Sequence, residues 1–213
     1  MAGRLLALAW LLLPLLAGAA PRAMEHSLER IRHEWAVAAF ELAPERRDAA
    51  LEVLAGMAHR VAERYPGETR PRVWEGIVLA SLAEARGPLA GYFTARSARG
   101  LLQAIEAREP SALDGTGYAA LGMLHATAPG WPFSFGDEAL ARAYFEKAVA
   151  TAPGGMEVHY FYGGFLLQQG QYGEATRHLR LALAGPAHCD PGNPGAQERR
   201  EIRRSLARAE RGS

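Results

Sequence analysis

Cysteine is nearly absent: Cys189 is the single one in 213 residues. One thiol closes no intramolecular disulfide, so stability must come from packing. A surplus of one charge is lacking too. The chain carries 24 basic and 23 acidic residues, a formal net charge of +1, with arginines spread along its length and Lys147 as its single lysine. Bulk electrostatics therefore gives no reason to expect nucleic acid as a partner. Strand signals are missing: no run alternates apolar and polar residues between hairpin-turn dipeptides. So are the motifs of common chemistry, with no HExxH pair, no Gly-x-Ser-x-Gly elbow, no phosphate-cradling loop and no dinucleotide fingerprint. His26, His33, His59, His125, His159 and His178 stand singly on helical stretches. His188-Cys189-Asp190 sets three ligand types side by side, but adjacent residues do not readily face one ion, and no second His/Cys cluster follows. No enzyme activity, metal or cofactor is expected.

What is present begins with the first nineteen residues. Arg4 opens a basic start, Leu5 to Leu16 is an apolar run, and Ala17-Gly18-Ala19 supplies small residues where a signal peptidase would cut. That is the layout of a secretory signal peptide, cleaved at Ala19 or Ala20. A run of about a dozen apolar residues is short for a membrane span, which needs about 20; an uncleaved anchor is the alternative. The reading places the mature chain in a bacterial periplasm, with no integral membrane segment of its own.

From there on the pattern is helical. Breakers fall at Pro66-Gly67, Pro110, Pro129-Gly130, Pro153-Gly154-Gly155 and Gly185-Pro186. Between them three- and four-residue apolar spacing predicts helices over about 24–42, 45–64, 70–85, 92–109, 115–126, 137–151, 157–169, 171–184 and 196–208. Asp137 is the expected N-cap of its helix.

The helices repeat. A tetratricopeptide unit is a pair of helices over about 34 residues, with small residues where the two backbones approach and large ones beside them. Tyr118, Leu121, Gly122 and His125, then Ala141, Phe145, Ala148 and Pro153, fill that pattern. Gly163 and Leu166, then Gly170, Tyr172, Ala175, Leu179 and Ala182, fill the next. An earlier unit reads Trp74, Ile77, Val78 and Ser81, then Ala98, Leu102, Ile105 and Pro110, with Trp74 expected in the core. The expected fold is all-α, a tetratricopeptide-like α-solenoid of about four hairpins over residues 20–213. Its best repeats span 71–186, a linker follows over 187–195, and a capping helix covers 196–208. Gly122, Ala141, Phe145, Gly163 and Ala175 are its structural repeat positions. The charges of the capping helix, Arg199 to Arg208 among Glu198, Glu201 and Glu210, suit a solvated face.

Two inserts depart from the repeat: Gly87-Pro88-Leu89-Ala90-Gly91-Tyr92-Phe93 and Pro129-Gly130-Trp131-Pro132-Phe133-Ser134-Phe135-Gly136-Asp137. Both are apolar where loops are ordinarily polar. Both join the two helices of a hairpin, which sets them on one edge of a regular stack. Trp131, Phe133, Phe135, Tyr92, Phe93 and Tyr160 are the candidate binding residues. For Trp131 and Phe135 two readings stand open: a partner site, or local cover for the end of a hairpin.

The stretch Leu113-Asp114-Gly115, Leu121-Gly122, Pro129-Gly130-Trp131-Pro132 and Phe135-Gly136-Asp137 resembles the TatT family. These are tetratricopeptide-like periplasmic proteins linked to TRAP-type transporters. Tyr160-Phe161-Tyr162-Gly163, Gly170, Tyr172 and the Glu201-Ile202 helix are similar to it as well, so the likeness runs from about Trp74 to Leu206. It implies a soluble helical scaffold that binds a protein partner or an apolar ligand near a transporter, and it implies no enzyme activity and no catalytic residues. Some members are lipid-anchored, and this sequence lacks the cysteine that requires. A periplasmic carrier for an organic acid or apolar small molecule, held between the inserts, is the alternative. Homo-oligomerisation is left open.

Overall fold

A computed structural model describes residues 19–186 and 196–212. The expected signal segment, and the linker with His188, Cys189 and Asp190, lie outside the described residues apart from Ala19. Among the described residues the chain is all-helical, and no helix is long and apolar enough to cross a membrane. Nine α-helices follow one another: α1 (Ala19–Ala36), α2 (Pro44–Arg64), α3 (Thr69–Ala90), α4 (Tyr92–Arg108), α5 (Gly115–Thr127), α6 (Glu138–Thr151), α7 (Met156–Gln168), α8 (Tyr172–Ala184) and α9 (Ala196–Gly212). A π-helical turn, Val37–Glu41, ends α1, and a 3₁₀ turn, Pro110–Ala112, precedes α5.

Local chemistry explains the boundaries. Asp114 and Asp137 cap α5 and α6, each carboxylate accepting a backbone N–H three residues on, from Gly117 and Leu140, at 3.0 Å. Pro44 occupies the first turn of α2, where its missing N–H costs nothing. Gly170, at φ +69°, turns the chain between α7 and α8. The segment expected as a loop after residue 85 is instead a continuation of α3. Gly87 takes φ 78° and ψ 175°, kinks the helix, and lets Pro88 start a further turn that runs to Ala90. The first and last helices also run beyond their expected bounds, to Ala19 and to Gly212.

Consecutive helices pack as pairs, α3 on α4, α5 on α6 and α7 on α8, while α3, α5 and α7 also pack in succession. Those three form an inner layer, buried on nearly every face. Their partners bury one stripe each, at the same spacing: Ala98, Leu102 and Ile105; Ala141, Phe145 and Ala148; Ala175, Leu179 and Ala182. Each stripe sets a large side chain against an inner glycine. A Cβ on Gly76 would meet Leu102 Cγ at 2.7 Å, one on Gly122 the Phe145 ring at 3.0 Å, and one on Gly163 Leu179 Cγ at 2.8 Å. In the first pair the close approach is at Gly76 of α3. Trp74 is buried at 5% exposure.

The N-terminal helices are built into the same core. Trp35 donates its indole N–H to Ser81 Oγ at 2.8 Å and packs its ring on Trp74 of α3 and Phe161 of α7. Phe40, in the π-turn, packs on Tyr160 at 5.3 Å between ring centres, and the same turn touches α9. The two ends of the fold thus meet across the inner layer.

Two histidines are also brought together. His159 Nε2–H donates to the Pro153 carbonyl at 2.9 Å, which leaves His159 Nδ1 to accept from His178 Nδ1–H at 2.9 Å. Both rings are buried. Burial, with His159 and Arg177 adding to it, pushes His178 down to about 4 from an ordinary 6.5.

Two outcomes are expected. Gly122→Leu must drive a side chain into the Phe145 ring and should cost about 1–3 kcal/mol, with a lower Tm followed by helical circular dichroism. Gly100→Ala, where nothing lies within 4 Å of the new methyl, should instead gain up to about 1 kcal/mol, because alanine is the better helix former. His178 sets a pH dependence. Its folded pKa is depressed, so the unfolded chain takes up a proton first, and its contribution is full above about pH 6.5 and drains as pH falls toward 4. Urea unfolding at pH 7 and near pH 4.5 should show a loss of roughly 1–3 kcal/mol in the native chain that shrinks in His178→Asn, which keeps a donor to His159 without a titrating ring.

Candidate functional site

The second insert is a tight loop held by its own backbone. Phe133 and Ser134 N–H donate to the Gly130 carbonyl at 3.1 and 3.2 Å, and Gly136 N–H to the Pro129 carbonyl at 2.8 Å. Asp137 N–H then reaches back to the His125 carbonyl at 3.0 Å, so the loop closes on the end of α5. Gly136 is required there, since a Cβ would collide with the Ala128 carbonyl. Backbone hydrogen bonds met inside the loop free its side chains from the polar character a loop ordinarily needs.

Those side chains divide. Phe135 turns inward: Arg99 of α4 lies 4.1 Å over its ring, the His125 ring meets it edge-on, and its carbonyl accepts from His125 Nδ1–H at 3.1 Å. Burial also lowers the His125 pKa. Trp131 and Phe133 turn outward and are 89% and 82% exposed. The first insert divides in the same way. Tyr92 is half-buried, with Arg96 over its ring, whereas Leu89 and Phe93 are 90% and 77% exposed.

The bases of both inserts line one cavity of about 250 Å³, with Gly87, Pro88 and Tyr92 from the first and Pro129, Ser134 and Phe135 from the second. Tyr160 is not there. It lines a second recess of about 380 Å³ along the inner helices, with Arg47, Phe161, Phe165 and Arg208. Glu84, Ala126, Thr127 and Gln168 belong to the walls of both, so the two adjoin. Of the six residues singled out in the sequence, Tyr92 and Phe135 thus share a cavity, Tyr160 sits in the adjoining recess, and Phe93, Trp131 and Phe133 stand outside in solvent.

Glu84 and Arg47 carry no sequence signal of their own, since each reads as a charged helix-face residue. Glu84 is open to water yet ringed by protein, and burial raises its carboxyl above the ordinary value while Arg47 opposes the rise. Burial, then the nearby Glu201 and Glu84, pushes Tyr160 up to about 12 against the pull of Arg47 and Arg208, so its hydroxyl stays a donor. Among the described residues no three or more metal-ligating side chains converge. No known family model matches the chain, and no curated protein matches it.

The division of the second insert has a direct consequence for stability. Phe135→Ala removes the ring clasped by Arg99 and His125 and should cost about 1–3 kcal/mol. Trp131→Ala removes an exposed ring and should stay within about 0.5 kcal/mol. Thermal melts of the two variants beside the native chain check both values.

Proposed function

We propose that this protein is a periplasmic, tetratricopeptide-like scaffold of about four hairpins with a C-terminal capping helix, and that it binds a protein partner through its aromatic inserts without catalysing a reaction. The observation that carries the reading is the set of four large apolar side chains, Leu89, Phe93, Trp131 and Phe133, exposed on two inserts that flank one cavity. Single exposed apolar residues are ordinary, but several on neighbouring inserts suit an interface, and tryptophan is the side chain most enriched at binding hot spots. The paired packing of α3 to α8, with a glycine under a large side chain in each pair, supports the tetratricopeptide reading. The likeness of Pro129-Gly130-Trp131-Pro132 and its neighbours to the TatT family supports a place beside a TRAP-type transporter. The apolar start of the sequence supports export.

A second reading rests on a separate observation. The cavity beneath the inserts, adjoining the recess at Tyr160, suits a carrier of an organic acid or apolar small molecule.

The test of the scaffold is paired. Trp131→Ala should weaken binding to the partner co-purified from periplasm at least tenfold, about 1.4 kcal/mol or more, while Tm is preserved. Unaltered affinity in Trp131→Ala and in Phe133→Ser would move the interface off the inserts.

A further inference from the structure

We propose that the cavity and the adjoining recess together are a binding site for a single-chain amphiphile with an acidic headgroup, its tail lying beneath the inserts and its head meeting Arg47, Arg208 and Tyr160. The inference rests on the carrier reading and adds to it the chemistry and the direction of the ligand.

The groove is graded along its length. At the insert end Ala83, Ala95, Pro88, Tyr92 and Phe135 give the wall an apolar character, with the Ser134 hydroxyl beside them and Glu84, Thr127 and Gln168 shared with the recess. At the other end α2, α7 and α9 join α3 and α5 in the wall, and polar groups gather. Arg47 gives its Nε–H to the Leu42 carbonyl at 2.9 Å, and Arg208 donates to Ser205 Oγ at 3.0 Å. Neither guanidinium forms an ion pair with a carboxylate among the described residues. The Tyr160 hydroxyl, held protonated, has no hydrogen-bond partner among them either. Two guanidinium groups and one phenol donor thus border the recess with donor capacity to spare.

The balance of charge chooses the headgroup. Glu84, a carboxylate in the wall of both spaces, is open to water, and the protein around it raises its carboxyl above the ordinary value. Glu201, which also bears on Tyr160, is engaged by Arg204 at 3.1 Å. The donors are therefore only partly neutralised, and a carboxylate placed among them would gain charge-assisted hydrogen bonds in a recess walled by protein. A cationic head would face Arg47 and Arg208. A neutral head would bind only by its tail. The two spaces, about 250 and about 380 Å³, are together in the range of small-molecule sites and share Glu84, Ala126, Thr127 and Gln168 in their walls.

Isothermal titration calorimetry of the full chain with decanoate, decanol and decyltrimethylammonium, all as monomers, tests this. Decanoate should bind at least about tenfold more tightly than decanol, and the cation more weakly than either. Arg208→Gln sits on an exposed helix face and Tyr160→Phe keeps the ring that packs on Phe40 and Phe161, so both should fold. Each should weaken decanoate about fivefold or more and leave decanol unchanged. Equal binding of decanoate and decanol, or indifference of decanoate to both variants, would overturn the acidic headgroup while leaving a carrier of apolar molecules standing. Binding of none of the three would remove the carrier reading with it. Trp131→Ala, whose side chain is outside the groove, should bind decanoate as the native chain does, and a loss there would overturn the placement of the tail.

Discussion

The fold depends on one kind of contact, a large side chain of an outer helix seated on a glycine of the inner helix before it. Leu102 on Gly76, Phe145 on Gly122 and Leu179 on Gly163 make that contact in three successive pairs. Each draws two backbones together, and the alanines on either side of the large residue, such as Ala141 and Ala148 around Phe145, are fully buried because the helices have closed up. Close pairing leaves the inner helix with a second face to cover. The next inner helix covers it, which is why α3 packs on α5 and α5 on α7. A single pair has no such cover, so the stability of each depends on its neighbour.

That contact is also what made the helical part legible. Small and large residues at fixed spacing are a local code, so α5 to α8 lie within a residue or two of where the sequence puts them. What was not legible has a different physical origin. Trp35 and Phe40 read as ordinary apolar residues of a lead helix, and their partners Phe161 and Tyr160 lie on α7, far along the chain. No spacing rule reports a contact of that range. The His159–His178 pair was hidden in the same way, as two single histidines on separate helices. The glycine contact of the first pair, Gly76 under Leu102, was not singled out in the sequence either, because that unit departs from the regular spacing of the other two.

The candidate site was half legible. The aromatic content of both inserts was plain, and so was their common edge, but the side each ring faces is decided by packing. Phe135 is drawn in because Arg99 and His125 offer it a cation and a ring edge, while Trp131 and Phe133 extend from a loop whose hydrogen bonds are internally met. One insert therefore supplies two unlike surfaces, an inward ring that walls a cavity and outward rings with nothing to cover them.

Tyr160 joins the constraint at the core to the chemistry of the groove. Its ring is fixed by Phe40 from the π-turn and by Phe161 beside it, so the contact that brings the two ends of the fold together also orients a phenol at the cavity wall. Arg47 and Arg208 arrive at the same recess on α2 and α9, helices that belong to opposite ends of the chain and reach it only because those ends meet. An open stack of the same inner helices would keep the apolar half of the groove and lose its polar end. Closure of the fold is thus the step that turns a seam between helices into a recess with both an apolar and a charged wall.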